Sequence, residues 1–89
     1  AQFPLADKVL VVVGGSTGLG FSAAQAFLAA GARGVVVTGR NADHANAAVN
    51  TLGAKVAAAQ TGNATDPAHA PAAIALALEK FGRFDALYH

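Results

Sequence analysis

Cysteine is absent from the 89 residues, which excludes disulfides, thiolate chemistry and zinc–thiolate sites. Charge is sparse: six Lys and Arg against five Asp and Glu leave a formal net charge of +1. The basic residues are scattered, and none of the chain forms the basic stripe that a nucleic-acid surface requires. No apolar run approaches membrane-spanning length, and no charged segment precedes a hydrophobic stretch as in a secretory signal. A soluble, cytoplasmic protein is therefore expected. His44 and His69 fall on alanine-rich segments without a partner at ligand spacing, so no metal site is assigned and both are expected to face solvent.

What the chain has in excess is alanine. Apolar residues make up 54% of the sequence, and 24 residues, half of that total, are alanine. Alanine favours helix and contributes little burial, so the core must rest on a few Val, Leu, Ile and Phe positions. A chain of this length is at most one small domain, burying about 60–65% of its unfolded surface.

The segment Val9-Leu10-Val11-Val12-Val13-Gly14-Gly15-Ser16-Thr17-Gly18-Leu19-Gly20 carries the functional information. Its aliphatic run lacks alternation and reads as a strand buried on both faces, as in a parallel sheet. The strand runs into a glycine-spaced turn and then into a helical pattern. Gly14 lets the chain leave the strand through a turn that a Cβ would obstruct. Gly18 and Gly20 allow backbone amides and the new helix to approach a pyrophosphate. Three phosphate motifs compete for these residues. A P-loop would fit Gly15 to Ser22 except that Phe21 stands where its lysine must be. The shorter dinucleotide fingerprint can be placed on Gly18, Gly20 and Ala23, but four residues then separate it from the strand. The G-x-x-x-G-x-G spacing of Gly14, Gly18 and Gly20 is the third, and a glycine-rich turn without a ligand is the alternative to all of them.

The rest of the chain alternates strands and helices. The first strand spans roughly Lys8–Val13, and a helix follows from Gly18 to Ala30 with Gly31 as its left-handed terminator. Gly34 to Thr38 forms a second buried strand. Asn41 caps a helix from Ala42 to Leu52, ended by Gly53. Lys55–Gln60 is a third strand. Asp66 as N-cap and Pro67 at the first helical position open a third helix reaching Phe81, with Ile74, Leu78 and Phe81 on its buried face. Pro71 predicts a loose first turn or a restart there. Phe84–His89 is a fourth strand, and Lys80, Arg83 and Asp85 surround it as a solvated turn about Gly82. The order βαβαβαβ implies an α/β, Rossmann-like parallel sheet with strand order 3-2-1-4, helices on both faces, and a ligand at the carboxyl ends near strands 1 and 4.

From Lys8 to His89 the chain resembles the short-chain dehydrogenase/reductase family at four separated places. These are the glycine loop, Arg40 just after the second strand, Asn63-Ala64-Thr65-Asp66 (similar to the family's D-V-T-D), and Phe81-Gly82-Arg83-Phe84-Asp85-Ala86-Leu87 (similar to F-G-x-[IL]-D-x-L). Val13 stands where the family usually has threonine, which removes a hydroxyl that would buttress the turn. Asn63 stands where it usually has aspartate, and keeps a carboxamide able to face an adenine amine. The resemblance implies cofactor-binding roles for Gly14, Ser16, Thr17, Gly18, Leu19, Gly20, Arg40, Asn63 and Ala64, with Ser16 and Thr17 donating to phosphates or capping the helix.

An acidic residue at the end of the second strand would bind a ribose 2′-hydroxyl and repel a 2′-phosphate. That place is held by Gly39, and Arg40 follows with a permanently charged planar fork suited to phosphate. NADP(H) is expected rather than NAD(H), although Thr17 holds the place where NADP-preferring members often carry a basic residue. Tyr88 is expected to serve packing. The family's N-A-G segment, catalytic serine and Tyr-x-x-x-Lys pair would come later, so no catalytic residue is assigned. The resemblance implies that residues 1–89 are the amino-terminal dinucleotide-binding half of a single Rossmann-fold domain, truncated at the end of the fourth strand. Its parent would move hydride between NADP(H) and a carbonyl or alcohol substrate, as a homo-oligomer. The 89 residues alone are expected to be inactive, and either to self-associate through the fourth strand or to depend on the missing carboxyl-terminal half. A stand-alone nucleotide-binding or interaction module, or an unrelated doubly wound protein such as a flavodoxin-like module, are the alternatives.

Overall fold

Aliphatic side chains on both faces leave the first strand no solvent side. In the computed structural model, which describes residues 5–63 and 65–88, β1 (Val9–Val12) is buried along its whole length. It pairs in parallel with β2 (Gly34–Gly39), Val9 opposite Gly34 and Val12 opposite Val37. On its other side it pairs with β4 (Ala86–Tyr88), Leu10 opposite Ala86. The strand β3 (Ala57–Thr61) adds to the far side of β2, giving one four-stranded parallel sheet of order β3-β2-β1-β4. This is the Rossmann-like order expected from the alternation of strands and helices.

Helices α1 (Gly18–Ala29) and α2 (Ala42–Leu52) cover one face of the sheet, and α3 (His69–Phe81) covers the other. The abundant alanine explains how. Ala24, Ala45 and Ala48 are buried under one face, and Ala73 and Ala77 under the other, so the helix backbones lie close to the valines of β1 and β2. Larger groups fill only the margins: Phe21, Phe27, Leu28 and Leu52 on one side, Phe81 with Ile74 and Phe84 on the other. The fit is tight. A Cβ placed on Gly34 would lie 2.5 Å from the Phe81 ring.

Helix ends follow their local chemistry. Asn41 caps α2 by accepting from the His44 amide at 3.1 Å, and Gly53 ends it with its amide donating to Val49. The third strand begins later than expected. The Val56 amide closes a turn onto Gly53, so Lys55 is spent in that turn and pairing starts at Ala57. The third helix also begins later. Asp66 accepts from Ala68 through its carboxylate and from His69 through its carbonyl, a turn of its own ahead of the helix. Pro71 thereby falls in the first helical turn, where a missing amide costs no hydrogen bond.

Two expectations are corrected by packing. Leu78 is 51% exposed, because Ala73, Ala77 and Phe81 form the buried stripe of α3 and Leu78 lies beside it. The segment around Gly82 is solvated as expected, with Lys80 and Asp85 exposed, and its charges also make structural contacts. Asp85 takes a two-pronged hydrogen bond from Arg83, at 2.7 and 2.8 Å, and accepts from the Val9 amide at 2.7 Å, while its own amide donates to Val9. Lys80 donates to the carbonyls of Ala54 and Ala57, tying the end of α3 to the start of β3. His69 is buried, not solvent-facing. Tyr88 does pack, edge-on against Phe27 with ring centroids 5.3 Å apart. The expectation that His89 closes the fourth strand lies outside the described residues.

Candidate nucleotide site

The turn after β1 is built by three constraints that meet at Gly14. Its φ of +74° lies in the left-handed region that favours glycine. A Cβ there would meet nothing within 4 Å, so backbone conformation, and not the expected obstruction, requires the glycine. Its amide donates to the Thr38 hydroxyl at 3.1 Å. Its carbonyl lies where a Cβ on Gly20 would fall, with the Gly14 carbonyl carbon 2.8 Å from that position. Gly20 is thus needed for α1 to close against the turn. Gly18, at φ +60°, faces open space.

The start of α1 is an uncompensated row of donors. Thr17 is its N-cap but makes no side-chain capping bond, and no acidic residue lies in the first turn. The Phe21 amide already bonds to the Thr17 carbonyl, which leaves the amides of Gly18, Leu19 and Gly20 as the helix's N-terminal donors. Together with the dipole they form a site for an anionic group. Thr17 is also solvent-exposed.

Beside this helix end a cleft of about 430 Å³ crosses the carboxyl ends of β1, β2 and β3. It is centred on the β2 side of β1, whereas the strand order alone pointed to strands 1 and 4. Gly14, Ser16, Thr17 and Arg40 line it, with Thr38 and Gly39 between them and Gly62 and His69 at its far end. A Cβ on Gly39 would collide with the Ser16 hydroxyl, so Ser16 occupies the space in which a side chain at 39 would stand. Arg40 reaches the Asn63 Oδ1 at 3.5 Å. That oxygen also accepts from the Thr65 amide at 3.0 Å and the Thr65 hydroxyl at 2.8 Å.

Of the residues expected to bind a cofactor, Gly14, Ser16, Thr17 and Arg40 are brought together on the cleft. Gly18 borders the adjoining groove between α1 and α2. Leu19 is 88% exposed at the helix tip, and Asn63 sits at the rim with its acceptor oxygen engaged. Ala64 lies outside the described residues. Two site residues escaped the sequence reading. Thr38 supplies the hydroxyl that Val13 lacks, from the neighbouring strand; the one polar residue ending Val35-Val36-Val37 was its signal. His69 had no signal beyond its residue type. Among the described residues no group of three or more His, Asp or Glu could hold a metal, and no helix is long and apolar enough to cross a membrane.

A strand, a left-handed glycine turn, an uncapped helix end and a sheet of order 3-2-1-4 carry this cleft, and residues 8–89 match the family model described as short chain dehydrogenase. The chain belongs to the short-chain dehydrogenase family. Solved structures agree. A short-chain dehydrogenase/reductase described as glucose/ribitol dehydrogenase from Brucella melitensis is 30% identical and superposes with a TM-score of 0.85 over 98% of this chain. The glucose dehydrogenase of Caenorhabditis elegans in its apo form is 27% identical, with a TM-score of 0.83 over 94% of this chain. This short-chain dehydrogenase sequence spans 37% of the length of each. No curated protein matches it significantly.

Proposed function

We propose that this chain is the NADP(H)-binding, amino-terminal half of a single Rossmann domain in an oxidoreductase that acts on a carbonyl or alcohol. Such a cofactor supplies or accepts the hydride; everything assigned to these residues is binding and orientation. The amides of Gly18, Leu19 and Gly20 would hold the pyrophosphate at the tip of α1. Ser16 and Thr17 would donate to phosphate or ribose oxygens, and Asn63 and Ala64 would lie toward the base. Arg40 would pair with the 2′-phosphate.

The observation that carries the cofactor preference is the grouping of Gly39, Ser16 and Arg40 at the end of β2. No carboxylate stands there to take a ribose 2′-hydroxyl, and the Ser16 hydroxyl fills the space in which one would stand. A guanidinium lines the same cleft. The fold itself fits a nucleotide: the donors at α1 are uncapped and Gly18 opens onto space. Direct titration with NADPH and NADH tests the proposal. NADPH is expected to bind more tightly, and Arg40→Asp to reverse the order. Losing the phosphate-paired arginine is expected to cost NADPH on the order of 1.5–3 kcal/mol. Equal affinities for the two cofactors would remove the role given to Arg40.

The outer edge of β4 bears on assembly. Leu87 and Tyr88 are 46% and 45% exposed, and among the described residues no strand pairs with that edge. The proposal continues the sheet past β4 in the complete protein, with the catalytic groups supplied there, and takes that protein as a homo-oligomer. A sheet edge of this kind is otherwise a site of self-association.

A further inference from the structure

The acceptor that Arg40 meets beyond the end of β3 is neutral. Its Nη2 reaches the Asn63 Oδ1 at 3.5 Å, the long limit of a hydrogen bond. That oxygen is held by shorter contacts: the Thr65 amide donates to it at 3.0 Å and the Thr65 hydroxyl at 2.8 Å. These two donors are enough for the two lone pairs of a carboxamide oxygen. Arg40 is therefore a third and weaker contact on an oxygen that Thr65 already fixes.

The charge of the guanidinium is left unspent. Arg40 is exposed, and among the described residues its side chain makes no other hydrogen bond and no ion pair. No Asp or Glu is among the described residues that line the cleft. Position 63 is the place where a carboxylate would change this. An aspartate there would keep the shape and both Thr65 bonds, but it would set a negative charge at the 3.5 Å separation now held by the amide oxygen. Opposite unit charges that close attract by an amount worth about fivefold in an equilibrium constant even at the dielectric of water.

Resting on the proposed nucleotide function, we infer that Asn63 is a positioning residue for cofactor selectivity: its carboxamide steadies Arg40 at the cleft without neutralising it, so that the whole guanidinium charge remains for a 2′-phosphate. The guanidinium has five N–H donors and gives one to Asn63, which leaves the others for phosphate oxygens. Asparagine and aspartate would orient Arg40 alike; they differ in how much charge they leave it. Selectivity at the end of β2 is thus set in part by a residue 23 positions further along the chain.

The test titrates NADPH and NADH into the complete protein and reads the ratio of the two affinities. Both cofactors carry the same adenine, so any effect of position 63 on the base cancels in that ratio. Asn63→Asp is expected to lower the preference for NADPH about three- to fivefold at low salt, and by less as ionic strength rises. Asn63→Ala, which removes the contact and adds no charge, is expected to cost less. In an Arg40→Ala background Asn63→Asp is expected to leave the ratio within about twofold. An equal fall in both backgrounds would mean that the carboxylate repels the phosphate directly, and the partnership with Arg40 would be refuted. An unchanged ratio in Asn63→Asp, or as large a fall in Asn63→Ala, would refute it too. A wild type that binds neither cofactor, or both equally, would instead overturn the NADP(H) reading on which this inference rests. Asn63→Asp retains the acceptor for both Thr65 bonds, so the cycle with Arg40→Ala decides even where Asn63→Ala does not fold.

Discussion

The Thr38 hydroxyl is the point at which fold stability and the nucleotide turn can be separated by one methyl group. Thr38 is 1% exposed, near the end of β2, and its oxygen accepts from the Gly14 amide at 3.1 Å. Thr38→Val preserves shape and β-branching and removes the hydroxyl, and with it the acceptor for the Gly14 amide. The Gly14 amide then loses its protein partner at the place where the chain enters its left-handed turn. A net hydrogen bond of this kind is worth about 0.5–1.5 kcal/mol, and an amide left unpaired brings the loss toward 1–3 kcal/mol. Gly14 itself is exposed and water can reach it, so the lower part of that range, about 1 kcal/mol, is expected. For a domain near this size that corresponds to a melting temperature lower by about 4–8 °C. The turn also positions the donors of α1, so cofactor affinity should fall as well. Thermal unfolding followed by circular dichroism, with NADPH titration in parallel, measures both. Val13 neighbours Thr38 across the β1–β2 ladder, because Val12 pairs with Val37. Val13→Thr in the Thr38→Val background is therefore expected to recover part of the loss. An unchanged melting temperature and affinity in Thr38→Val would show that the hydroxyl is incidental and that the glycines alone hold the turn.

Other outcomes follow from the same geometry. Gly20→Ala would drive a methyl group into the backbone of Gly14 and Gly15; about 1–3 kcal/mol of destabilisation is expected, with loss of NADPH binding, measured by denaturant unfolding and titration. Gly34→Ala is expected to destabilise by a similar amount while leaving affinity per folded molecule intact, since the nearest atoms its methyl would meet belong to the Phe81 ring. Adding Phe81→Leu should restore part of that stability, and additivity of the two changes would count against the contact. Asp85 governs acid sensitivity. The Arg83 guanidinium, and then the Val9 amide, hold its carboxyl below the ordinary carboxylate value. The unfolded chain therefore binds the proton first, and the stabilisation is present above about pH 3.9 and is lost as the pH falls below it. Asp85→Asn is expected to be less stable than wild type at neutral pH and to converge with it in acid, as unfolding curves across that window would show.

The fold was legible because its strands carry no competing pattern. Val9 to Val12 and Val35 to Val37 are apolar without alternation, and each helix of the α1 and α2 pair is punctuated by residues whose backbone preferences are strong: Gly18, Asn41 and Gly53. Of the candidate site, the glycine turn at Gly14 and the charge at Arg40 were visible in the sequence, and the fold brings both to one cleft. Long-range pairing was not. Thr38 reaches Gly14 across 24 residues, and Asp85 reaches Val9 across 76. Neither partner can be found by spacing along the chain. The buried stripe of α3 was misplaced for a related reason: periodicity favours large side chains, and here Ala73 and Ala77 were chosen to let the helix approach the sheet. His69 was unreadable because burial of a single histidine depends on what Gly62 leaves open.

The contact of Gly39 with Ser16 couples the two positions. A side chain acquired at 39 would enter space that the Ser16 hydroxyl holds, and that hydroxyl, at the end of a short rotatable side chain, would have to turn away to admit it. Because Ser16 lines the same cleft, the rotation would move a polar group of the candidate site. The effect of a substitution at either position therefore depends on the residue at the other.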